Sequence, residues 1–393
     1  MIRSVIPIML ILLSCRHNMF KAATQSCKMP VVVNNQHPMK DSLQWLVNKY
    51  VADGVPGLQV AVRNTQGFFI ASGGYAGTEQ QRAWEPCTPS LLFSITKTYT
   101  AALVMKYRDK GLIDLNKPIT TYLDAAVASQ VQRAGDITVR MLLNHSAGIA
   151  NITEQPEFLA MQFNDPFHQP SVAQLLQMIQ GKPLLFEPGS DFSYSNTNYL
   201  LLQLILEKLT SKSYDTILET ELLKPLKLQQ TWYSLSEKRA IQLGFPDYYF
   251  DRQGNGQLEN GTRWNLALGE ASGGYGAISA TPQDVTAFYE ALATGRILSE
   301  NSWKEMTTWF TGKKSTQPDY GLGIEYFQYL PGSTPQMGHE GDGIACTTMI
   351  LYIPDNQTVL YINCTVGRKL GGPFLGKTID LKNEISRYAA RWR

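Results

Sequence analysis

The chain has 393 residues, of which 44% are hydrophobic and 17% are charged, so it can bury a sizeable core and does not have the composition of a disordered protein. Its formal net charge of +2 and the lack of a Lys/Arg run give no reason to expect a nucleic-acid partner. This length fits one large domain or two ordinary ones.

The first residues are typical of an export signal. Arg3 precedes an apolar run at residues 5–13, which is too short for a transmembrane helix of about 20 residues. Leu12-Leu13-Ser14-Cys15 resembles a bacterial lipobox, in which Cys15 would be lipidated. An ordinary cleaved signal with an incidental cysteine is the alternative. We therefore expect export to the bacterial periplasm or outer membrane, with membrane contact only through a lipid on Cys15.

The segment at residues 16–37 has no sustained period and is predicted to be a tether, and a single domain is predicted at 38–393. Apolar residues at helical spacing between 43 and 50 predict an amphipathic helix that closes before Gly54. Two strands, at 58–62 and 68–71, flank a turn-like segment and predict a hairpin. A further helix is predicted at 95–112.

The centre of the chain, residues 112–264, is predicted to be a mostly helical insert. Thr281 looks like the N-cap of a helix that reaches about residue 293. Strands rich in β-branched and aromatic residues are predicted at 323–329, 345–353 and 358–364, and an amphipathic helix at 374–392. We predict an α/β (α+β) fold in which 38–111 and 265–393 form one antiparallel sheet flanked by helices, with the helical lobe inserted.

The cysteines leave the disulfides open. Without Cys15, four remain in a protein expected to meet an oxidising compartment: Cys27, Cys87, Cys346 and Cys364. The last two lie nearly symmetrically about a turn at residue 355, so a cross-strand disulfide and two reduced core cysteines fit equally well. None of the four has metal-ligand spacing and the five histidines are scattered, so we expect no structural zinc and no cofactor.

Three short motifs carry the chemistry. In Ser94-Ile95-Thr96-Lys97, a helix start would place the serine and the lysine one turn apart on one face. Lysine can then serve as the base that a serine nucleophile requires, if burial or nearby cations lower its pKa. Tyr194-Ser195-Asn196 offers a proton relay and an amide that could orient the lysine or hold a substrate carbonyl. His339-Glu340-Gly341 offers a positive or proton-donating group near a developing oxyanion and a glycine that lets substrate approach the strand edge closely.

Each motif alone has a structural explanation, but the three in this order resemble the serine β-lactamase and penicillin-binding-protein superfamily. The Tyr-x-Asn and His-x-Gly forms are similar to the branch of class C β-lactamases, D-Ala-D-Ala carboxypeptidases, D-aminopeptidases and β-lactamase-like esterases. The resemblance covers roughly residues 40–365. It implies that His145, in Leu142-Leu143-Asn144-His145-Ser146, belongs to the scaffold.

The resemblance also implies the role of each site residue. Ser94 would attack the carbonyl carbon and form an acyl-enzyme, while Lys97 and Tyr194 share the proton transfers. Asn196 would position the lysine and the substrate amide, and His339 would support the oxyanion side where many relatives have lysine. The oxyanion hole would be the backbone N–H groups of Ser94 and Asp342.

One feature departs from the relatives. Glu340 and Asp342 stand where many relatives have hydroxyl residues that grip a substrate carboxylate, and alternation along a strand would put both on one side. An ionised glutamate about 5 Å away would repel that carboxylate by about 3 kcal/mol at a dielectric of about 20. We therefore expect weak acylation by penicillins and better turnover of neutral or amine-bearing substrates, unless Glu340 turns to solvent or pairs with Lys or Arg.

The implied function is a serine hydrolase of peptide-like amides, β-lactams or esters in the cell envelope, most like a D-Ala-D-Ala carboxypeptidase or related hydrolase. A carboxylesterase or D-aminopeptidase on the same scaffold is one alternative. A non-catalytic envelope protein that keeps the fold for binding is another, against which the intact Ser94, Lys97 and Tyr194 argue.

Overall fold

The computed structural model describes residues 27, 29–368 and 371–392, so the predicted signal peptide and Cys15 lie outside the described residues. No helix in this part of the chain is both long and apolar enough to cross a membrane. In chain order the strands are β1 (Gly57–Asn64), β2 (Gly67–Gly74), β3 (Ser90–Leu91), β4 (Thr231–Tyr233), β5 (Tyr249–Phe250), β6 (Glu259–Asn260), β7 (Ile278–Ala280), β8 (Glu325–Phe327), β9 (Gln336–Asp342), β10 (Thr347–Ile353) and β11 (Thr358–Cys364).

Helices make up most of the rest of the described chain. They are α1 (Lys40–Ala52), α2 (Thr96–Asp109), α3 (Ala125–Ala128), α4 (Val139–Leu143), α5 (Pro156–Asn164), α6 (Val172–Gln177), α7 (Asn196–Thr210), α8 (Tyr214–Leu218), α9 (Lys224–Leu226), α10 (Glu237–Gln242), α11 (Thr262–Ala271), α12 (Pro282–Ala293), α13 (Glu300–Met306) and α14 (Pro373–Arg391). Single 3₁₀ turns lie at Phe93–Ile95, Ile119–Thr121, Ala134–Asp136, Ile152–Glu154, Gly273–Tyr275 and Pro354–Asn356, and a π turn lies at Glu219–Leu223.

The central sheet joins the two ends of the chain. Its order is β2-β1-β11-β10-β9-β8, and every neighbouring pair is antiparallel. Alternate side chains of β1 point to opposite faces, as the period of two requires. Val60 and Val62 pack with α1 and α14, whereas Ala61 belongs to the larger core formed with α2, α7 and α12. The predicted α/β fold with a shared antiparallel sheet and an inserted helical part is therefore confirmed.

The differences from the sequence prediction are local. The strand predicted at 323–329 is shorter, at Glu325–Phe327, and β9 at Gln336–Asp342 was not predicted as a separate strand. The central part of the chain also contributes β4, β5 and β6, and β3-β7-β4 form a second, three-stranded sheet. The predicted cap of α12 is present, since the Thr281 side chain accepts a hydrogen bond from Asp284 N–H.

The segment before α1 is not a free tether over its described part. The backbone N–H of Asn34 donates to the carbonyl of Phe68 at 2.7 Å. His37 is buried and its Nε2 lies 3.1 Å from Oδ1 of Asn64. Cys27 forms a disulfide with Cys87, which ties the same segment to the chain ahead of β3. Residues 34–37 are thus part of the folded domain, against our expectation for 16–37.

The other two cysteines are buried free thiols, so a cross-strand disulfide between them is not formed. The register explains why. Cys364 is paired with Thr347 across the strands, and Cys346 is the residue before Thr347. Neighbouring residues of an extended chain point to opposite sides, so the two sulfurs lie in different clusters of the core.

Candidate active site

Ser94 lies in the 3₁₀ turn that leads into α2. The residue before it, Phe93, has φ +43°, a left-handed conformation that costs a residue with a Cβ of order 1–3 kcal/mol. The surrounding core holds this turn, because both Phe93 and Ile95 are buried. The strained turn presents the Ser94 side chain to a cleft while the rest of α2 is packed in the core.

Lys97 follows one turn later, and its side chain is fully buried. Its Nζ donates hydrogen bonds to Ser94 Oγ at 3.0 Å, to Asn196 Oδ1 at 2.7 Å and to the carbonyl of Tyr275 at 2.9 Å. The ring centroid of Tyr194 lies 4.8 Å from the same atom. The ammonium donors are therefore directed at the nucleophile and two fixed acceptors, which is the geometry that proton exchange with Ser94 needs.

Asn196 begins α7 and is held at both ends of its amide. Its Oδ1 accepts from Lys97, and its Nδ2 donates to Thr153 Oγ1 at 2.8 Å. Its backbone N–H donates to Asn151 Oδ1 at 3.0 Å. Of the two roles predicted for this amide, the geometry fits the orientation of Lys97. Asn151 and Thr153 were not predicted, and only their polar side chains in Asn151-Ile152-Thr153 could have pointed to them.

Tyr194 supplies a neutral phenol beside the nucleophile. Burial raises its pKa well above the ordinary value, and the negative charge of Glu325 raises it further, while a hydrogen bond with Ser94 acts in the opposite direction. The phenol keeps its proton at neutral pH, so it can relay a proton but does not start as a phenolate base.

His145 supports this tyrosine, in line with the scaffold role implied by the resemblance. It is fully buried, its ring centroid lies 4.4 Å from that of Tyr194, and its Nδ1 accepts from Ser195 N–H at 3.2 Å. Burial and the charge of Lys97 lower its pKa well below the usual value. A neutral imidazole therefore packs against Tyr194, accepts a hydrogen bond from Ser195 and holds the Tyr194-Ser195-Asn196 segment in place.

Gly341 lets β9 approach the nucleophile. A Cβ at this position would lie 2.1 Å from the carbonyl oxygen of Leu92 and 2.5 Å from Thr348 Oγ1, so any side chain would push the strand away from the turn that carries Ser94. This close approach brings the Asp342 end of β9 beside Ser94, and both residues line the cleft. The two predicted oxyanion donors thus belong to segments that meet.

The role expected of His339 has to be corrected. It is fully buried, and burial followed by the charge of Lys97 lowers its pKa to about 3, so the imidazole is neutral near pH 7. Its Nε2 lies 2.6 Å from the hydroxyl of Tyr320, and its Nδ1 bonds the carbonyl of Glu340. Both ring nitrogens are occupied within the protein, so His339 braces β9 behind Tyr194 and does not offer a positive charge to an oxyanion.

The expected repulsion from Glu340 and Asp342 also has to be corrected. Lys382, which is buried on α14, donates to Glu340 at 2.5 Å. Arg368 bonds both carboxylates, with 2.7 Å to Asp342 Oδ2. Two negative charges are therefore matched by two positive ones. Alternation did place both acids on one side, but the pairing with Lys and Arg, which we had named as the alternative, is what the structure has.

Ser94 lies on the wall of a cleft with a volume of about 590 Å³. Five of the residues that line it were predicted to act in catalysis or substrate binding, namely Ser94, Tyr194, Asn196, Glu340 and Asp342, whereas the predicted Lys97, His339 and Gly341 are not among its lining residues. The residues that line it are Phe93, Ser94, Asn151, Thr153, Glu154, Phe158, Leu159, Gln162, Phe163, Tyr194, Asn196, Trp264, Leu268, Ser272, Tyr275, Gly276, Glu325, Glu340, Asp342 and Ile344. Glu325 is the most informative of the unpredicted ones, and its only signal was a charged residue inside a predicted strand.

Comparison with known proteins agrees with this geometry. The Beta-lactamase family model matches residues 43–371. Penicillin-binding protein 4* of Bacillus subtilis is 26% identical over 303 residues, which are 74% of this chain and 64% of that protein, so the chain spans less than two thirds of that relative.

Two solved structures share the fold. A D-stereospecific amidohydrolase from Streptomyces sp. is 27% identical, with a TM-score of 0.72 over 86% of this chain and 97% of its own. The D-amino acid amidase of Ochrobactrum anthropi SV3, in complex with D-phenylalanine, is 21% identical, with a TM-score of 0.75 over 89% and 99%. At that identity the second likeness concerns the fold alone.

Proposed function

The chain belongs to the Beta-lactamase family and is a serine hydrolase of this superfamily, and from that premise we propose that it hydrolyses peptide-like amides through an acyl-enzyme on Ser94. The observation that carries the proposal is the 3.0 Å hydrogen bond between Lys97 Nζ and Ser94 Oγ, within a cleft open to substrate. A nucleophile, its base and a neutral phenol in one cleft are what acyl transfer requires.

The steps follow from the contacts. Ser94 Oγ attacks the amide carbon as its proton passes to Lys97 in its neutral form, and backbone N–H groups of Ser94 and Asp342 stabilise the oxyanion. The C–N bond then breaks, and the leaving nitrogen takes a proton from Tyr194, which is reprotonated through Lys97. Water next attacks the Ser94 ester by the same proton path and releases the carboxylic acid.

The substrate class rests on two further points. Two structural neighbours have names that describe amide hydrolysis: one is a D-stereospecific amidohydrolase and the other is a D-amino acid amidase. A D-Ala-D-Ala carboxypeptidase must hold a substrate carboxylate, but Arg368 and Lys382, the basic residues beside the sheet edge of this cleft, are already bonded to Glu340 and Asp342. We therefore favour amides without a carboxylate at that end, ahead of the carboxypeptidase activity implied by the resemblance, with carboxylic esters as the second candidate.

The experiment is a substrate and probe panel on the purified protein. A fluorophosphonate and a fluorescent penicillin are incubated with wild type and with Ser94→Ala, and the labelled peptide is identified by mass spectrometry. D-Phenylalaninamide, a neutral phenyl ester and an N-acyl-D-Ala-D-Ala peptide are followed in parallel. The proposal expects label on Ser94 and turnover of the amide. Turnover of the ester alone would assign an esterase, and an unlabelled, inactive protein would favour the non-catalytic alternative.

We further propose that this activity resides in the cell envelope, with the chain exported and lipidated at Cys15. The support is the lipobox-like Leu12-Leu13-Ser14-Cys15 after a short apolar run. Metabolic labelling with a palmitate analogue in a bacterial host should mark the wild type and not Cys15→Ser. Label retained in Cys15→Ser, or none in the wild type, would contradict lipidation.

A further inference from the structure

The cleft has two chemically different walls. Helices α5 and α11 supply large apolar groups, among them Leu159, Phe163 and Trp264. Leu159 and Phe163 are exposed to 45% and 56%, although each is an apolar side chain on the wall of a cleft. Phe163 packs edge-on against Trp264 with ring centroids 5.7 Å apart, and the indole N–H donates to Gln162 at 3.0 Å. These contacts join the two helices into one apolar wall, in which Leu159 and Phe163 are exposed and Trp264 is buried behind them.

The edge of the sheet also lines the cleft, and its acids differ in their partners. Glu340 and Asp342 are bonded to Arg368 and Lys382. Glu325 accepts only the backbone N–H of Glu340, at 2.9 Å, and its nearest basic side chain is His339, with Nδ1 at 3.7 Å. That imidazole is neutral near pH 7, and Lys382, whose charge also acts on Glu325, donates its hydrogen bond to Glu340.

Glu325 is therefore a carboxyl with which a cationic group of a ligand could form an ion pair. Its side chain is 24% exposed into the cleft, so a ligand can reach it. Burial, followed by the charge of Glu340, raises its pKa to about 8, and a bound ammonium would favour the ionised form. Glu325 lines the same cleft as Tyr194, the phenol that protonates the leaving nitrogen.

We propose that the substrate has a large apolar acyl group, which lies on the α5–α11 wall, and an ammonium group on its leaving amine, which Glu325 receives. This inference rests on the proposed function, because it identifies the two halves of the amide that Ser94 cleaves. The apolar wall and the carboxyl are independent observations on different elements that line the same cleft as Ser94, and together they fit an amphipathic amide with a cationic end.

The test uses three amides of 3-phenylpropionic acid that differ only in the leaving amine. The amine is 1,2-diaminoethane, ethanolamine or glycine, so that the far end is an ammonium, a hydroxyl or a carboxylate. Release of 3-phenylpropionate is measured by chromatography. We expect kcat/KM for the ammonium substrate to exceed that for the hydroxyl substrate by about tenfold or more, as one charge pair in a partly buried site allows, and the carboxylate substrate to be the poorest.

The variant Glu325→Gln should bring the ammonium-to-hydroxyl ratio of kcat/KM close to one. A merely structural role would lower both rates together and leave the ratio unchanged, so the ratio separates specificity from folding. Glu384→Gln, which removes a surface partner of Lys49, is the matched control and should keep the wild-type ratio. A wild-type ratio near one, or an unchanged ratio in Glu325→Gln, would overturn the assignment.

The apolar wall is tested separately with acetyl and 3-phenylpropionyl amides of 1,2-diaminoethane. Phe163→Ser should reduce the preference for the larger acyl group by several-fold, whereas Leu185→Ser, at a similarly exposed position outside the cleft, should not. Equal preference in Phe163→Ser and wild type would contradict the wall. If no amide is cleaved and fluorophosphonate leaves Ser94 unlabelled, the proposed function itself fails, which is a different result.

Discussion

The Nζ atom of Lys97 lies 3.0 Å from the Oγ atom of Ser94, and the ammonium is also bonded to two groups that the sequence places far away. Asn196, at the start of α7, and the carbonyl of Tyr275 take the other two hydrogen bonds of the ammonium. A surface lysine after a serine N-cap would have no such set of acceptors. The Ser94–Lys97 pair is therefore organised for proton exchange.

Lys97→Ala should slow acylation of Ser94 by at least about a hundredfold, the usual scale for loss of a positioned base. Lys97→Arg should not rescue the rate, because a guanidinium does not give up its proton in this pH range. The second-order rate of fluorophosphonate labelling measures both, with circular dichroism as a check on folding. Near wild-type labelling of Lys97→Arg would count against Lys97 as the base.

Glu340→Gln should destabilise the protein by about 2 kcal/mol, since it leaves the buried Lys382 without its carboxylate, and the partial exposure of Glu340 keeps the loss below that of a fully buried pair. Urea denaturation measures the change. Adding Lys382→Met should restore part of the loss, because it removes the unpaired ammonium. Equal stability of Glu340→Gln and wild type would contradict this pairing. Because Glu340 is already neutralised, Glu340→Thr should also acylate no faster with penicillin than the wild type does.

The stability of the wild type relative to Glu325→Gln should fall as pH rises from about 4.5 to 8. Burial and Glu340 raise the pKa of Glu325 from 4.5 to about 8, so the folded state holds a proton that the unfolded state has already lost. The groups that act on Glu325 are Glu340, Asp342 and Lys382, and all remain in both proteins. The difference in Tm between them across this range is the measurement, and a constant difference would contradict the shift.

Cys27→Ser should destabilise the protein, because the bond to Cys87 closes a loop with a sequence separation of 60 residues. The loss of loop-closure constraint corresponds to about 4 kcal/mol at most. Alkylation of the unfolded, non-reduced protein should modify Cys346 and Cys364 and leave Cys27 and Cys87 unlabelled. A protein with no alkylated thiols, or a Cys27→Ser variant as stable as wild type, would contradict this arrangement.

Local spacing carried much of the site prediction. Ser94 and Lys97 are three residues apart, so a helix start was enough to bring them together, and Glu340 and Asp342 share a side because strands alternate. The fold class followed from the order of helical and strand patterns. These features depend on periods of two to four residues, which a sequence displays directly.

What the sequence did not show depends on contacts between distant residues. Arg368 and Lys382 neutralise Glu340 from 28 and 42 residues away, and no local pattern pairs them. His339 was misjudged because its neutrality comes from full burial and from the charge of Lys97, neither of which the motif records. The choice between a disulfide and two free thiols for Cys346 and Cys364 depends on a single residue of register, which symmetry about a turn cannot fix.

The central claim is that Ser94 becomes acylated during turnover, and intact-mass spectrometry of the protein quenched with acid during hydrolysis of an apolar amide or ester tests it most directly. The account predicts a mass increase equal to the acyl group, located on the peptide that contains Ser94 and absent from Ser94→Ala. Continued turnover by a folded Ser94→Ala protein, or an adduct on another residue, would contradict it.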